Sequence, residues 1–254
     1  MANEKKRKES NSAWQTESLR LTAFLAPGLI TNDAAWWEKL TGRAPETSIR
    51  RPLYQDEGEF EEGRLTLSMQ SLRVDWTYAV DLRKFGTELP TLGVFPETSS
   101  KFKNLISRWF EICPSITRLA FGAVLLQPVS SRIEGYNRIT GYLPSVKLDG
   151  EGSSDFAYQI NRPRPSKSMQ ALQINRLSKW SVMNLHYIQL AVDAGQPGLT
   201  QATIPNEGHN ACRLELDINT SASFSGQLPK EKLSVIFDEL IAVGKEIVER
   251  GDIS

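Results

Sequence analysis

Short runs in which apolar and polar residues alternate recur along this chain, and helical patterns do not separate them at regular intervals. A doubly wound parallel sheet needs a crossover helix between successive strands, so that architecture is disfavoured. The alternation is clearest in four places. RLTLSMQ puts Leu65, Leu67 and Met69 on one side. LRVDWTYAV puts Val74, Trp76 and Tyr78 together, with Arg73, Asp75 and Thr77 opposite. SDFAYQINR gathers Phe156, Tyr158 and Ile160, and ACRLELDIN gathers Leu214, Leu216 and Ile218. Successive strand residues point to opposite faces, so each run has one side for a core. LRLTAFL reads as a further strand, SIRRPLY as an edge strand limited by Pro52, and QALQINR and WSVMNLHYIQLAV as two more. TRLAFGAVLLQ is mostly apolar and predicts a central strand.

Four segments carry helical spacing instead. Asn32 or Asp33 can cap a short helix with Trp36, Trp37 and Leu40 inward, ended by Gly42. Ser99 or Ser100 can cap a second, in which Phe102, Leu105, Ile106, Trp109, Phe110 and Cys113 repeat until Pro114. Ser130 or Ser131 can cap a third, with Ile133, Tyr136, Asn137 and Ile139 spaced by three or four. Pro229 suits the first turn of a long C-terminal helix. Its stripe is Leu233, Ile236, Phe237, Leu240, Ile241, Gly244, Ile247 and Val248, and Lys232, Glu239, Lys245, Glu246 and Arg250 take the solvated side. A glycine in that stripe signals close backbone approach.

The expectation is an α+β fold: largely antiparallel sheet of about eight or nine strands, with about four helices mainly on one face. Residues 1–13 read as a flexible polar tail and 14–254 as one domain. KLDGEGSSD is the best boundary should there be two sub-lobes, 14–148 and 155–254. AGQPGLTQATIPN, residues 194–206, is uncharged and reads as a long loop.

No stretch of about 18 apolar residues exists to span a membrane. The first twelve residues are polar, carry KKRK and lack the apolar segment of a secretory signal, which predicts a cytoplasmic, reducing location. Cys113 and Cys212 read as small buried hydrophobes. There is no GxxxxGK[ST], GxGxxG after a strand, GxSxG, HExxH or CxxC, so the common nucleotide-dependent, serine-hydrolase and zinc-peptidase classes lose support. No cofactor is expected.

The chain has 30 basic and 30 acidic residues, which argues against a dedicated, strongly basic nucleic-acid binder. The zero balance conceals segregation. Residues 56–62, DEGEFEE, hold five acids and no base. Residues 156–192 hold Arg162, Arg164, Lys167, Arg176 and Lys179 without one acid. QINR occurs at 159–162 and again at 173–176, and a hairpin joined by RPRPSKSMQA would crowd cations at one end. Arginine forks bind phosphate or carboxylate, and Trp180 could stack on a base or a guanidinium. The first functional expectation is therefore a non-catalytic binding module. Arg162, Arg164, Lys167, Arg176, Lys179 and Trp180 would contact an anionic partner, nucleic acid or acidic protein.

Two alternatives follow from other residues. Glu215 and Asp217 share one face of an alternating strand, and His209 precedes them. Together these suit a metal-assisted hydrolase or nuclease. A polar, water-exposed sheet face, or pairing with Arg213, explains the same residues. The other alternative is a structural subunit whose acidic 56–62 loop docks on the basic region of a second copy. Asp75, Asp81 and Lys84 loosely fit an acid–acid–lysine nuclease centre, although an Arg73–Asp75 ion pair accounts for them better. His186 reads as a structural histidine.

The order of elements — strand, tryptophan-bearing helix, two strands around RVDW, amphipathic helix, strand, later polar strands — resembles in layout an uncharacterised, sporadically distributed prokaryotic protein family. The resemblance covers most of the chain and implies a bacterial accessory protein of mobile or defence gene clusters. It assigns no role to any residue.

Overall fold

The structure is a computed structural model that describes residues 13–27, 35–51, 53–84, 89–185, 189–192, 199–203 and 208–252. The KKRK segment, the cap candidates Asn32 and Asp33, Pro52 and His186 lie outside the described residues. Ten strands form one antiparallel sheet. They are β1 (Gln15–Leu25), β2 (Thr47–Ile49), β3 (Tyr54–Phe60), β4 (Gly63–Gln70), β5 (Arg73–Ala79), β6 (Ile116–Val129), β7 (Ala157–Asn161), β8 (Arg164–Pro165), β9 (Gln173–Leu185) and β12 (His209–Thr220). The order is β2-β3-β4-β5-β1-β6-β12-β9-β7, with β8 also on β9. The apolar β6 is central, as expected, and short strands close both edges. β10 (Gln189–Val192) and β11 (Leu199–Thr203) make a separate ribbon, so the stretch expected to be a loop carries a strand. QALQINR and WSVMNLHYIQLAV were expected as two strands, but the inward positions 174, 176, 178 and 180 run on in phase, and the end of the first and the start of the second form the single β9, with β10 taking the last four residues of the second. Strands from either side of KLDGEGSSD share the sheet through the β6–β12 ladder.

Four α-helices among the described residues pack on one face: α1 (Trp36–Thr41), α2 (Phe95–Ile112), α3 (Arg132–Tyr142) and α4 (Leu233–Arg250). α2 starts four residues before the expected serine cap, with Pro96 in its first turn, where the missing amide costs nothing. Ser99 and Ser100 instead donate back to the Pro96 carbonyl, at 3.1 and 2.7 Å. α3 begins as expected, Glu134 N donating to Ser131 Oγ at 3.2 Å. No helix among the described residues is long and apolar enough to cross a membrane.

Trp36 meets Trp109 edge-on at 5.6 Å, and Trp109 meets Trp76 at 6.4 Å, which ties α1 and α2 to β5. Phe237 of α4 reaches Phe102 and Phe110 of α2 and Phe121 of β6, with centroids 6.4, 5.8 and 5.9 Å away. Gly244 behaves as its place in the stripe predicts. A Cβ there would come within 3.3 Å of both Phe121 and Leu216, so its absence lets α4 lie directly on β6 and β12. Cys113 and Cys212 are buried free thiols, pushed by burial up to about 11 and about 12.

The acidic segment 56–62 is not a loop. It is most of β3 plus the turn into β4, and each carboxylate has a partner within the chain. Asp56 is buried and takes Arg50 at 2.8 Å, Ser48 at 2.7 Å and Tyr54 at 2.6 Å. Glu57 pairs with Arg64 at 2.6 Å and Glu59 with Lys84 at 2.7 Å. Glu61 and Glu62 share Lys101, at 3.6 and 2.7 Å. Four cations, Arg50, Arg64, Lys84 and Lys101, thus answer the five carboxylates from within the chain, which leaves less of that charge for docking on another copy.

Candidate anion-binding site

The strands that carry the two QINR segments pair, but the segments themselves meet only at their last residues, and that register decides what their cations can do. β7 lies antiparallel on β9 with Tyr158 opposite Trp180 and Ile160 opposite Ser178. The next position places Arg162 opposite Arg176, Arg162 N donating to the Arg176 carbonyl at 3.4 Å. Arg164 in β8 follows, opposite Ile174. Ile174, Ser178 and Trp180 are buried under the helices, and Arg176 has the same parity. Arg162, Arg164 and Arg176 therefore all turn to the helix side, beside the C-terminal end of α4.

That end supplies carboxylates that sequence reasoning missed. Asp252 binds Arg162 as a fork, Oδ1 to Nε at 2.5 Å and Oδ2 to Nη2 at 2.9 Å, and Oδ2 also accepts from the Tyr158 hydroxyl at 3.0 Å. Glu246 accepts from Arg164 Nη1 at 2.9 Å. About two turns earlier on the same face, Glu239 fills the RPRPSKSMQA loop. It accepts from Lys167 N at 2.7 Å, Ser168 N at 3.0 Å, Ser166 Oγ at 2.7 Å and Ser168 Oγ. Glu239 and Glu246, seven residues apart, share one helical stripe, which was the available signal. Reading that stripe as solvated was wrong because the 162–169 segment covers it.

Arg176 is the exception. It is 8% exposed, and its guanidinium has no hydrogen-bond or ion-pair partner among the described residues. Its Nε is buried without an acceptor, and so is that of Arg164. Burial, followed by the adjacent Arg164 charge, pulls the Arg176 pKa down from its ordinary value, and the nearby charges of Glu246 and Asp252 offset this only in part. A desolvated charge left without a partner costs several kcal/mol by order of magnitude, and like charges directly opposite on a ladder add to it. Two carboxylates face three guanidiniums.

The remaining candidates fall elsewhere. Trp180 is fully buried, stacked on Tyr142 at 5.4 Å and edge-on to Trp14 at 5.9 Å, so it belongs to the core and cannot stack on a ligand. Lys179 has odd parity, projects from the opposite face and pairs with Glu215 at 3.2 Å. Lys167 is exposed, and its contribution to the loop is its backbone amide. The metal alternative is not assembled. His209 lies six residues before Glu215 on β12, roughly 20 Å along an extended strand. Glu215 is held by Arg213 at 2.5 Å as well as by Lys179. No three His, Cys, Asp or Glu side chains among the described residues could share a metal ion. Glu215 and Asp217 instead border a groove of about 360 Å³ on the helix-free face, with Arg20, Thr77 and Lys179 around it. Asp75 is forked by Arg73 at 2.7 and 2.9 Å, the same-face ion pair expected there.

The chain matches no family model, no curated protein and no solved structure. The layout resemblance noted from sequence therefore rests on element order alone.

The carboxylates at the α4 end make the site acid-sensitive. The Arg162 hydrogen bonds hold Asp252 below its ordinary range. Burial opposes the charged forms of Glu239 and Glu246, but the amide and hydroxyl donors of 166–168 and the Arg164 hydrogen bond outweigh it, so both are lowered as well. Groups lowered on folding contribute stability above their unfolded pKa values, and that contribution disappears as pH falls through the folded ones. The melting temperature should therefore fall below about pH 4, where unfolded carboxylates begin to take up protons, and Glu239→Gln should shrink the drop. A profile for Glu239→Gln parallel to that of the parent protein would contradict this assignment.

Proposed function

We propose that this chain is a non-catalytic binding module that engages an anionic partner through Arg162, Arg164 and Arg176. The observation that carries the reading is the Arg176 guanidinium, nine-tenths buried beside two other arginines with no acceptor among the described residues. A fold keeps such a charge at a cost, and an incoming anion offsets that cost. The sites foreseen on Lys179 and Trp180 are not part of this reading, which narrows the contact to one compact cluster.

Arg176→Met separates a binding role from a structural one. Removing a buried charge that has no hydrogen-bond acceptor, while keeping an apolar stem, should stabilise the free protein by about 1 kcal/mol, a rise of a few degrees in Tm. In fluorescence anisotropy with a labelled acidic peptide or oligonucleotide, the same variant should bind at least roughly tenfold more weakly at about 50 mM salt. Large destabilisation together with unchanged affinity would make Arg176 a strut of the fold and end the proposal.

A further inference from the structure

We infer that the group this site takes is the phosphoryl group of a phosphate monoester; the inference rests on the anion-binding reading above and adds the ligand's chemistry to it. Three observations converge. The first is the arrangement of unused donors. Asp252 already engages Arg162 as a planar two-oxygen fork, and Glu246 takes a single Nη of Arg164. What remains unaccepted is divided between Arg164 and Arg176, residues on adjacent strands whose buried Nε atoms both lack a partner, so an incoming anion meets their outer Nη groups. A carboxylate has two oxygens in one plane and matches one guanidinium fork. A tetrahedral phosphoryl group presents three oxygens in different directions and can accept from the accessible edges of two guanidiniums at once.

The second observation is charge. The cluster holds one cation more than it has carboxylates, and Arg250 adds a further positive field at Glu246. A phosphate monoester carries about −1.5 to −2 at neutral pH and can cancel that excess, whereas a lone carboxylate carries a single charge.

The third is the extent of the site. A protein that tracks a phosphodiester backbone presents a row of cations, with aromatic rings for the bases. Here Lys179 lies on the opposite face of the sheet, Trp180 is in the core, and the formal charge of the chain is zero. One terminal phosphate fits this compact cluster, and a polyanion does not.

The experiment is a titration of the full chain, followed by calorimetry and by Tm. The probes are inorganic phosphate, glycerol 3-phosphate, acetate and an oligonucleotide without a terminal phosphate, all at matched ionic strength. The expected result is one-site binding of phosphate and glycerol 3-phosphate and a ligand-dependent rise in Tm. Acetate and the oligonucleotide should bind at least tenfold more weakly. Arg176→Gln and Arg164→Gln should each weaken monoester binding tenfold or more, and a variant that melts like the parent protein keeps the comparison valid if the other misfolds. A preference for glycerol 3-phosphate over inorganic phosphate identifies an ester as the source, and the reverse identifies free phosphate and overturns the monoester. Acetate binding as tightly as phosphate, with the same sensitivity to Arg176, would overturn the phosphoryl assignment and leave the anion-binding module standing. Tighter binding of the oligonucleotide would replace the monoester with nucleic acid. Indifference to all four probes would overturn both.

Discussion

Gly251→Ala should lower stability by about 3 kcal/mol, read from urea unfolding, because two independent constraints meet at this residue. Its backbone, at φ 77° and ψ −155°, lies in a region that only glycine occupies comfortably. A Cβ would also stand 2.0 Å from the Tyr142 carbonyl oxygen, far inside contact distance. The chain passes this close because Gly251 N ends α4 on the Ile247 carbonyl, at 2.8 Å, and Asp252 N then donates to Tyr142 O at 2.9 Å. That bond delivers the Asp252 carboxylate to Arg162 and Tyr158. Moving the backbone should therefore strip a second guanidinium of its counter-charge and deepen the loss. Gly141→Ala is the control. Gly141 lies within α3 with nothing within 4 Å of its would-be Cβ, so alanine there should be neutral or stabilise by up to about 1 kcal/mol. Equal effects at the two sites would show that neither strain nor the Tyr142 contact matters.

Phe237→Ala should cost about 3–5 kcal/mol, the range for emptying a large aromatic from a packed core. Its ring is fully buried and meets rings of two other elements, Phe102 and Phe110 on α2 and Phe121 on β6. No single neighbour can collapse into the space without leaving another. Val235, one helical face away and 55% exposed, gives the comparison: Val235→Ala should change stability by about 0.5 kcal/mol at most. A small loss at Phe237 would mean that α4 contributes little to the core.

Much of this architecture was readable because burial writes itself into periodicity. The α4 stripe from Leu233 to Ile247 and the inward Leu214, Leu216 and Ile218 follow from spacing alone. Val243 is buried as well and was missed, because α4 is covered over a wider arc than one stripe. The site was legible in part. Ile174, Arg176, Ser178 and Trp180 share parity, so the inward turn of Arg176, the burial of Trp180 and the separation of Lys179 could have been read from alternation. Charge composition along the chain was the misleading guide, because it ignores faces. The partners Asp252 and Glu246 left no such trace. They lie 90 and 82 residues from the arginines they neutralise, and nothing local encodes a contact over that distance. Asp56 differs: its partners Arg50 and Tyr54 lie six and two residues away, and the signal was local.

The strands at the margins of the sheet bear on how the protein behaves when crowded. A long straight margin with free amides invites a neighbouring molecule to continue the ladder. Here one margin ends in the three-residue β2, and the other in β7 and the two-residue β8, where Pro163 and Pro165 have no amide hydrogen to offer. A sheet this wide thereby offers, among the described residues, little straight margin on which a second molecule could extend the ladder.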